Sequence, residues 1–471
     1  MLKKTLLGGT VAAVALCFTA APAMAGSNEA LLKRLHEKGI LSDEEFKDLM
    51  AQDAAANAAP PPAAPMAAAQ TALDDKTVVH MTDRGIGFNV GPATIKFSGS
   101  VNGFYVHDDP ATPSATTAVV GGVANVGGNS SSAIRNGLLP GFLKVDVTTK
   151  QGGWDVGAHF GMYPGINSTA WGALGANNGG QPTALATAGI DFRQTYMTFG
   201  KARLGEFKIG RDIGLFGSEG ILNDITLLSS GTPGGNVAPG NTTLGRSGVG
   251  YSYTDFQPQI TYTSPSFGGA QVTLGVFQPL NSLTAPAQGN SSPGFQGKIT
   301  YDGKFGGVGL RAWVSGITQE HKTLGAGTGG LVNYTGKGLD TGAKVSAGPV
   351  TLTGYYYTAK GLGTTVLNLF DTDAFGNPRS SHGFYGQALV SLGKVSVGGS
   401  YGESSLDYAN AADATANPAL LDKNSSWVGQ VRYGLTSWVT LIGEYVHSKA
   451  EAHNGNHAES NAIALGGILF F

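Results

Sequence analysis

The sequence has few charged residues and a single cysteine. Only 13% of its 471 residues are Asp, Glu, Lys or Arg, about half the usual share in globular proteins. The one cysteine, Cys17, lies close to the N-terminus, so the remainder has no thiol for a disulfide, a metal site or a nucleophile. These absences exclude a disulfide-stabilised scaffold and a disordered polyelectrolyte.

Long apolar runs and an excess of basic residues are also missing. No stretch after residue 25 reaches the run of about 18 apolar residues that a transmembrane helix needs, and the nearest, 54–73, contains four prolines. Lys and Arg number 30 against 32 Asp and Glu, which predicts no nucleic-acid partner. Any membrane span must therefore be a closed β-barrel, which satisfies every backbone group in lipid.

Glycine and aromatic residues are plentiful by contrast. The chain has 73 glycines, 9% aromatic residues and a mean hydropathy of −0.01. Glycine shows no three-residue period, so collagen is excluded. Such a composition favours one large all-β body with two differently solvated faces.

Residues 1–25 have the pattern of a secretory signal peptide. Lys3 and Lys4 precede a short apolar core, and Ala23-Met24-Ala25 is a cleavage site of the A-x-A type. We therefore expect an exported protein.

A short helical hairpin is predicted over residues 26–52. Ser42 and Glu45 form a capping box for its second helix, and the hairpin is too small to bury an apolar stripe of its own. It either packs against the remainder of the protein or makes a periplasmic contact, such as trimerisation or binding to peptidoglycan through residues 28–52. Residues 53–76 are expected to form an Ala/Pro-rich linker.

Apolar and polar residues alternate in blocks of about ten throughout residues 77–471. The connections between blocks are alternately long and short, as in outer-membrane barrels with short periplasmic turns and long outer loops. We predict an all-β, 16-stranded antiparallel transmembrane β-barrel, with 18 strands as the alternative if residues 85–90 add a strand. The predicted strands cover 93–107, 138–150, 152–163, 189–200, 203–211, 256–264, 269–278, 293–302, 307–317, 338–347, 350–359, 383–392, 395–404, 425–434, 438–448 and 461–471.

Two motifs resemble those of a known family. The last strand ends in Phe471, as in outer-membrane barrels whose terminal Phe is the assembly-machinery signal. The segment 260–269 (ITYTSPSFGG) is similar to the Y-x-S-P-x-F-x-G block of Gram-negative trimeric porins and lies just after the third long loop, as in that family. The resemblance covers about residues 93–471 and implies a homotrimer in the outer-membrane lipid.

The resemblance also implies an inward-folded third loop, residues 212–255, that narrows the channel and carries Glu219 and Asp224. Opposite charges are expected on inward-facing wall positions, where they would set up a transverse field. The basic candidates are Lys96, Lys144, Arg193, Lys208, Lys298, Arg311, Lys344 and Arg432. The acidic candidates are Asp146, Asp155, Asp191, Glu206, Asp340 and Glu444. The near balance between basic and acidic candidates predicts weak ion selectivity and leaves open whether anions or cations are preferred.

The expected function is a porin for passive diffusion of small hydrophilic solutes and ions, with no cofactor and no metal. The alternatives are a substrate-selective porin (for anions, dicarboxylates or sugars) and a structural tether of the envelope. Trp313, Tyr355, Tyr357 and Tyr385 form an inward aromatic group that either stacks a sugar or supports loops. Asp371 and Asp373 either bind calcium or form a solvated turn. No nucleophile accompanies the near pair His159 and Asp155, so an enzyme is not expected.

Overall fold

A computed structural model describes His36 and residues 42–56, 86–166, 190–234, 242–283, 290–325 and 330–471. The chain divides into two compact units, Met1–Asp74 and Asp75–Phe471. The predicted signal peptide, most of the first helix of the hairpin, and residues 57–76 of the linker lie outside the described residues.

The described part of the first unit contains helix α1, Asp43–Ala56. Its N-terminus has the predicted capping box, because the Ser42 hydroxyl donates to the Glu45 carboxylate (2.8 Å) and the Glu45 amide donates to the Ser42 hydroxyl (3.3 Å). The Ser42 main-chain amide also donates to the Glu45 carboxylate (3.0 Å), and this bond and the one from the Ser42 hydroxyl lower the pKa of Glu45. The helix continues four residues beyond the predicted boundary at residue 52, because the alanines at 54–56 favour helix. None of the described helices is long and apolar enough to span a bilayer.

The second unit is a sheet of antiparallel strands with two short helices. Helix α2 is Ser218–Leu222 and helix α3 is Ala411–Ala416. The strands are β1 (Ile86–Val90), β2 (Ala93–Asp109), β3 (Ser131–Arg135), β4 (Phe142–Gln151), β5 (Trp154–Pro164), β6 (Ile190–Lys201), β7 (Gly205–Ile213), β8 (Phe256–Thr263), β9 (Ala270–Phe277), β10 (Gly294–Phe305), β11 (Val308–Gly325), β12 (Gly330–Ala347), β13 (Val350–Lys360), β14 (Ser380–Leu392), β15 (Val395–Leu406), β16 (Leu421–Gly434), β17 (Val439–Ala452) and β18 (His457–Phe470).

Sixteen of these strands close into a barrel, which confirms the predicted fold. Strand β2 pairs with β4, each later strand pairs with the next, and β18 returns to β2 with Phe470 opposite Ser100 and Asn461 opposite Asp109. Closure removes the free edges that would expose unpaired backbone groups.

The two remaining strands extend β2 without widening the barrel. Strand β1 pairs with residues 93–97 of β2, and β3 pairs with residues 104–108. Residues 85–90 therefore do contribute a strand, but the alternative count of 18 barrel strands is wrong. Strand β3 lies inside a predicted loop, and β11 and β12 form a hairpin much longer than predicted, which reaches Gly325 and Gly330.

Side chains alternate between the two faces of the wall. One face carries large exposed apolar residues, such as Val101, Ile260 and Leu465, while the other carries buried or polar ones. The alternation is interrupted once on β6, where a β-bulge at Arg193 shifts the pairing with β5, so that Gly161 lies opposite Gln194 but Met162 lies opposite Phe192. The exposed apolar face suits lipid, so the polar face lines the lumen.

Candidate functional site

The longest connection, residues 214–255, runs between β7 and β8. Its two ends are joined by a hydrogen bond from the Gly214 amide to the Asp255 carbonyl (3.0 Å). It contains α2 and a 3-10 turn at Ile225–Leu228, which the Asp224 side chain caps by accepting from the Thr226 amide. We call it the 214–255 segment.

Lumen-facing side chains hold the main chain of this segment at its first half. Gln296 on β10 accepts from the amides of Leu215 (2.8 Å) and Phe216 (3.0 Å). Asp340 on β12 accepts from the Gly217 amide (2.5 Å). The segment therefore folds against the inner wall instead of projecting outward.

The same arrangement continues on the other side of the barrel. Gln387 on β14 accepts from the Ile225 amide (2.8 Å) and donates to the Asn223 carbonyl (2.7 Å). Glu444 on β17 accepts from the Gly231 amide (2.6 Å) and the Ser229 hydroxyl (2.5 Å). Contacts with β10, β12, β14 and β17 mean that the segment passes through the lumen.

Glu219, on α2, is buried in an ion-pair cluster with the wall. Its carboxylate accepts from Lys298 Nζ (2.9 Å) on β10 and from Arg311 Nε and Nη2 (3.0 Å each) on β11. Arg311 also donates to Asp302 (2.7 Å). Burial acts to raise the pKa of Glu219, but the hydrogen bonds and charges of Arg311 and Lys298 outweigh it and lower the pKa.

Asp224 is buried within the segment itself. Its side chain accepts from the Tyr251 hydroxyl (3.1 Å) and lies 3.9 Å from the guanidinium of Arg246, which is fully buried. Burial raises the pKa of Asp224, with Arg246 acting against it. Neither predicted acid of the segment thus presents an exposed charge to the lumen, because both are used in buried contacts.

The charged wall lies on strands β4 to β7. His159 binds Asp146 (2.6 Å), and Lys208 forms an ion pair with Asp212. Lys144 has no carboxylate within ion-pair distance among the described residues, and its ammonium lies 5.4 Å from the Phe142 ring centroid.

Arg193 lies among aromatic rings on the same wall. It pairs with Asp191 (2.5 Å), and its guanidinium lies 5.3 Å from the ring of Tyr163 and 5.8 Å from that of Phe256. Arg193 and Asp191 both face inward because of the bulge at Arg193 on β6, since simple alternation from Gln194 would turn both outward.

Two other predicted wall residues, Lys96 and Glu206, adjoin the charged wall. Lys96 on β2 lies opposite Asp146 on β4. Glu206 lines a cavity of about 460 Å³ near the β4–β5 turn. Arg432 donates to the Ile225 carbonyl (2.7 Å) and so also holds the 214–255 segment. Phe471 exchanges two backbone hydrogen bonds with Gly99 (3.0 and 3.1 Å) at the seam where the barrel closes.

The aromatic group is covered by the segment. Trp313, Tyr355, Tyr357 and Tyr385 are all at most 4% exposed. Tyr385 donates to the Gly220 carbonyl (2.8 Å), and its ring stacks on Tyr355. These rings support the segment, so they offer no open surface for stacking a sugar.

The predicted calcium site is occupied by protein groups. Asp373 accepts from the amides of Phe375 and Asn377 (2.9 Å each), and Asp371 accepts from Ser282 and Tyr334. No group of three or more His, Cys, Asp or Glu side chains in the described part of the chain could hold a metal ion.

A cavity of about 500 Å³ lies between the charged wall and the segment. Lys144, Arg193, Asp191 and Asp212 line one side. The other side is an apolar ledge, which consists of Leu138, Leu139, Ile221, Leu222 and Leu227. The sequence analysis missed this ledge because its residues come from two connections that are distant in the chain.

The ledge is held together by hydrogen bonds between those connections. The Leu138 amide donates to the Ser229 carbonyl (2.7 Å), and the Thr242 hydroxyl donates to the Leu138 carbonyl (2.6 Å). Gly137 is needed there, because a Cβ would lie 2.2 Å from the Ser229 oxygen. Asp212 and Asp302 were also missed, and His159 was considered only as a partner of Asp155, whereas it binds Asp146. Only the inward phasing of their strands could have indicated these roles.

Two solved outer-membrane structures are similar to this barrel in fold. The outer membrane channel DcaP of Acinetobacter baumannii aligns with a TM-score of 0.60 and 16% identity, over 82% of this chain and all of that one. An anion-selective porin from Comamonas acidovorans aligns with a TM-score of 0.53 and 14% identity, over 80% of this chain and all of that one. At these identities the likeness establishes the fold alone.

No curated protein matches this chain in sequence. A family model described as Gram-negative porin, however, matches residues 54–453. That match covers most of the chain, including nearly all of the barrel and the 214–255 segment. The chain therefore belongs to the Gram-negative porin family and is a channel of the outer membrane, not an enzyme.

Proposed function

We propose that the chain forms a water-filled pore for passive diffusion of small hydrophilic solutes and ions, and that the 214–255 segment narrows it. The observation that carries this proposal is the set of hydrogen bonds between the segment and lumen-facing side chains on β10, β12, β14 and β17. A barrel of sixteen strands is wide enough for an aqueous channel, and a segment across it reduces the open section.

We further propose a weak preference for anions. Glu219 is matched by Lys298 and Arg311, and Asp146, Asp191 and Asp212 of the charged wall have basic partners. Among the described residues, Lys96 and Lys144 have no carboxylate within ion-pair distance, and Glu206 is the one wall carboxylate on β7 without a basic group within that distance. The relative from Comamonas acidovorans is named as anion-selective. An uncompensated positive charge beside the path raises the local anion concentration.

The test is single-channel recording of the purified protein in a planar lipid bilayer. We expect discrete current steps, and a reversal potential in a salt gradient that indicates a modest excess of anion over cation permeability. Removal of residues 218–246 should enlarge the steps if the segment narrows the pore. Folded protein without current steps would refute the diffusion pore, and unchanged steps after the deletion would refute the role of the segment.

We also propose that the protein is a homotrimer assembled through the barrel-assembly machinery, which would recognise the strand that ends in Phe471. Family membership supports both points. Native mass spectrometry of detergent extracts should give three chains per particle, and current steps should come in groups of three.

Residues 28–52 are proposed to contact peptidoglycan. Helix α1 begins with Asp43, Glu44 and Glu45, and most side chains over residues 43–50 are exposed. Co-sedimentation with purified sacculi should therefore be lost when residues 26–76 are deleted, while channel currents persist. Equal sedimentation of both forms would refute the contact.

A further inference from the structure

One wall of the cavity beside the 214–255 segment is apolar, which is unusual for a path that carries water and hydrophilic solutes. One side is the apolar ledge, and Leu222 on that ledge is 50% exposed although most of its neighbours in the segment are buried. Leaving apolar surface in water is unfavourable in proportion to its area. Contiguous apolar surface inside a water-filled lumen therefore indicates a ligand that covers it.

The ledge is a fixed surface. Leu138 is held by bonds to Ser229 and Thr242, and α2 is anchored at Glu219 by Lys298 and Arg311. Leu138 and Ile221 belong to the buried core that also contains Phe216 and Tyr251, so they form the base of the ledge. Leu222 is exposed and Leu139 and Leu227 are partly exposed, so these three leucines present apolar surface to whatever enters the cavity.

The opposite side offers positive charge. Lys144 lines the cavity and has no carboxylate within ion-pair distance among the described residues, whereas Asp212 and Asp191 are matched by Lys208 and Arg193. The third carboxylate of the cavity, Asp255, accepts a hydrogen bond from the Phe256 amide (2.7 Å). A free ammonium facing an apolar surface suits a solute with one anionic group and an apolar body. A sugar or a compact inorganic ion would leave the ledge uncovered.

We propose that this cavity binds short aliphatic monocarboxylates during passage, with the carboxylate at Lys144 and the alkyl chain on the ledge. The inference rests on the proposed pore function and adds a solute class to it. Binding should strengthen with each methylene, because each one removes apolar surface of the solute and of the ledge from water.

The experiment measures block of the single-channel potassium chloride current by the homologous anions acetate, propionate, butyrate, pentanoate and hexanoate. A fully buried methylene contributes about 0.8 kcal/mol, which corresponds to about a fourfold change in affinity. Because the ledge covers the alkyl chain on one side only, the half-blocking concentration for the wild type should fall about twofold to threefold per added methylene. Acetate reports the contribution of the charge, and the slope along the series reports the ledge.

Two variants separate these contributions. Leu222→Asn should reduce the slope by half or more, while Lys144→Gln should weaken block by every member of the series and leave the slope unchanged. Leu204→Asn is the matched control, because Leu204 is 54% exposed and does not line the cavity. Its slope should equal that of the wild type.

The outcomes distinguish the inference from the function on which it rests. Normal channels with equal block by acetate and hexanoate would overturn the binding inference alone. A slope that survives in Leu222→Asn would also overturn it. Protein without channels would overturn both, and a separate measurement of folding by heat-modifiable electrophoretic mobility would show that the barrel had formed.

Discussion

Substitution of Glu444 by glutamine should release the 214–255 segment from β17. The Glu444 carboxylate is 4% exposed and accepts four hydrogen bonds, from the Ser229 hydroxyl (2.5 Å), the Gln430 amide (2.7 Å), and the main-chain amides of Gly231 (2.6 Å) and Ser230 (3.2 Å). Each of its two oxygens accepts two of these bonds. A glutamine replaces one oxygen with an NH2 donor, so the bond from the Gln430 amide becomes a donor-to-donor contact, the Ser229 hydroxyl has to turn and accept, and the remaining bonds lose their charged acceptor.

The magnitude follows from the lost and weakened bonds. A hydrogen bond to a charged group contributes about 1.5–3 kcal/mol and a neutral one about 0.5–1.5 kcal/mol, so one lost bond and three weakened ones amount to about 4–6 kcal/mol. The neutral amide is less costly to bury than a carboxylate, which offsets part of that loss. We therefore expect local opening to become easier by about 3 kcal/mol, which corresponds to about a 100-fold faster amide exchange.

Hydrogen exchange with mass spectrometry on peptides that cover residues 225–234 measures this effect directly. The matched control is Glu451→Gln on the same strand, because Glu451 contacts only Lys423 (3.2 Å) and Lys449 (2.9 Å) and its side chain is 32% exposed. Exchange in the control should equal that of the wild type. Equal protection in the Glu444 variant and the control would refute the reasoning that Glu444 holds the segment.

Three further perturbations have defined outcomes. Gly99→Val should lower the yield of assembled barrel, measured by heat-modifiable mobility, because a Cβ would lie 2.5 Å from the Phe471 ring. Asp413→Asn should make opening of its outer loop easier by about 2 kcal/mol at pH 7, as measured by hydrogen exchange. Burial acts to raise the pKa of Asp413, but the hydrogen bonds from Arg379 outweigh it and lower the pKa from an ordinary 3.8 to about 2. This stabilisation is complete above pH 3.8 and is lost as the pH falls through about 2. Lys144→Gln should shift the reversal potential toward cations, changing the permeability ratio about twofold to fivefold at low salt.

Each of these predictions has a control of the same type. Gly354→Val places the same side chain on the lipid face of β13, where nothing lies within 4 Å, and should assemble normally. Asp422→Asn removes a carboxylate whose side chain is 53% exposed and should leave the exchange of the outer loop unchanged. Lys449→Gln removes a positive charge from outside the lumen and should not move the reversal potential. A control that behaves like its partner variant would contradict the corresponding assignment.

The strands could be predicted from the sequence because their signals are local. Alternation has a period of two residues, and the short turns separate strands at regular intervals. Strand β13, predicted at 350–359, is observed at Val350–Lys360. The end of α1 was misplaced because an Ala-rich segment has the composition of a linker but the propensity of a helix.

The candidate site was harder to predict because it depends on contacts between distant parts of the chain. Glu219 was located in the correct connection, yet nothing near it in sequence indicates that Lys298 and Arg311 neutralise it. The pairing requires the register of β10 and β11 and the path of the segment across the lumen. The apolar ledge likewise requires that Leu138 and Leu222 meet, although they lie in different connections.

The attachment of the 214–255 segment has an evolutionary consequence. Gln296, Asp340, Gln387 and Glu444 bind mainly its main-chain groups, which every residue type except proline possesses. Side chains that face the cavity, such as Leu222, can therefore change without loss of these attachments. A barrel built in this way can acquire a new solute preference by single substitutions while its scaffold stays the same.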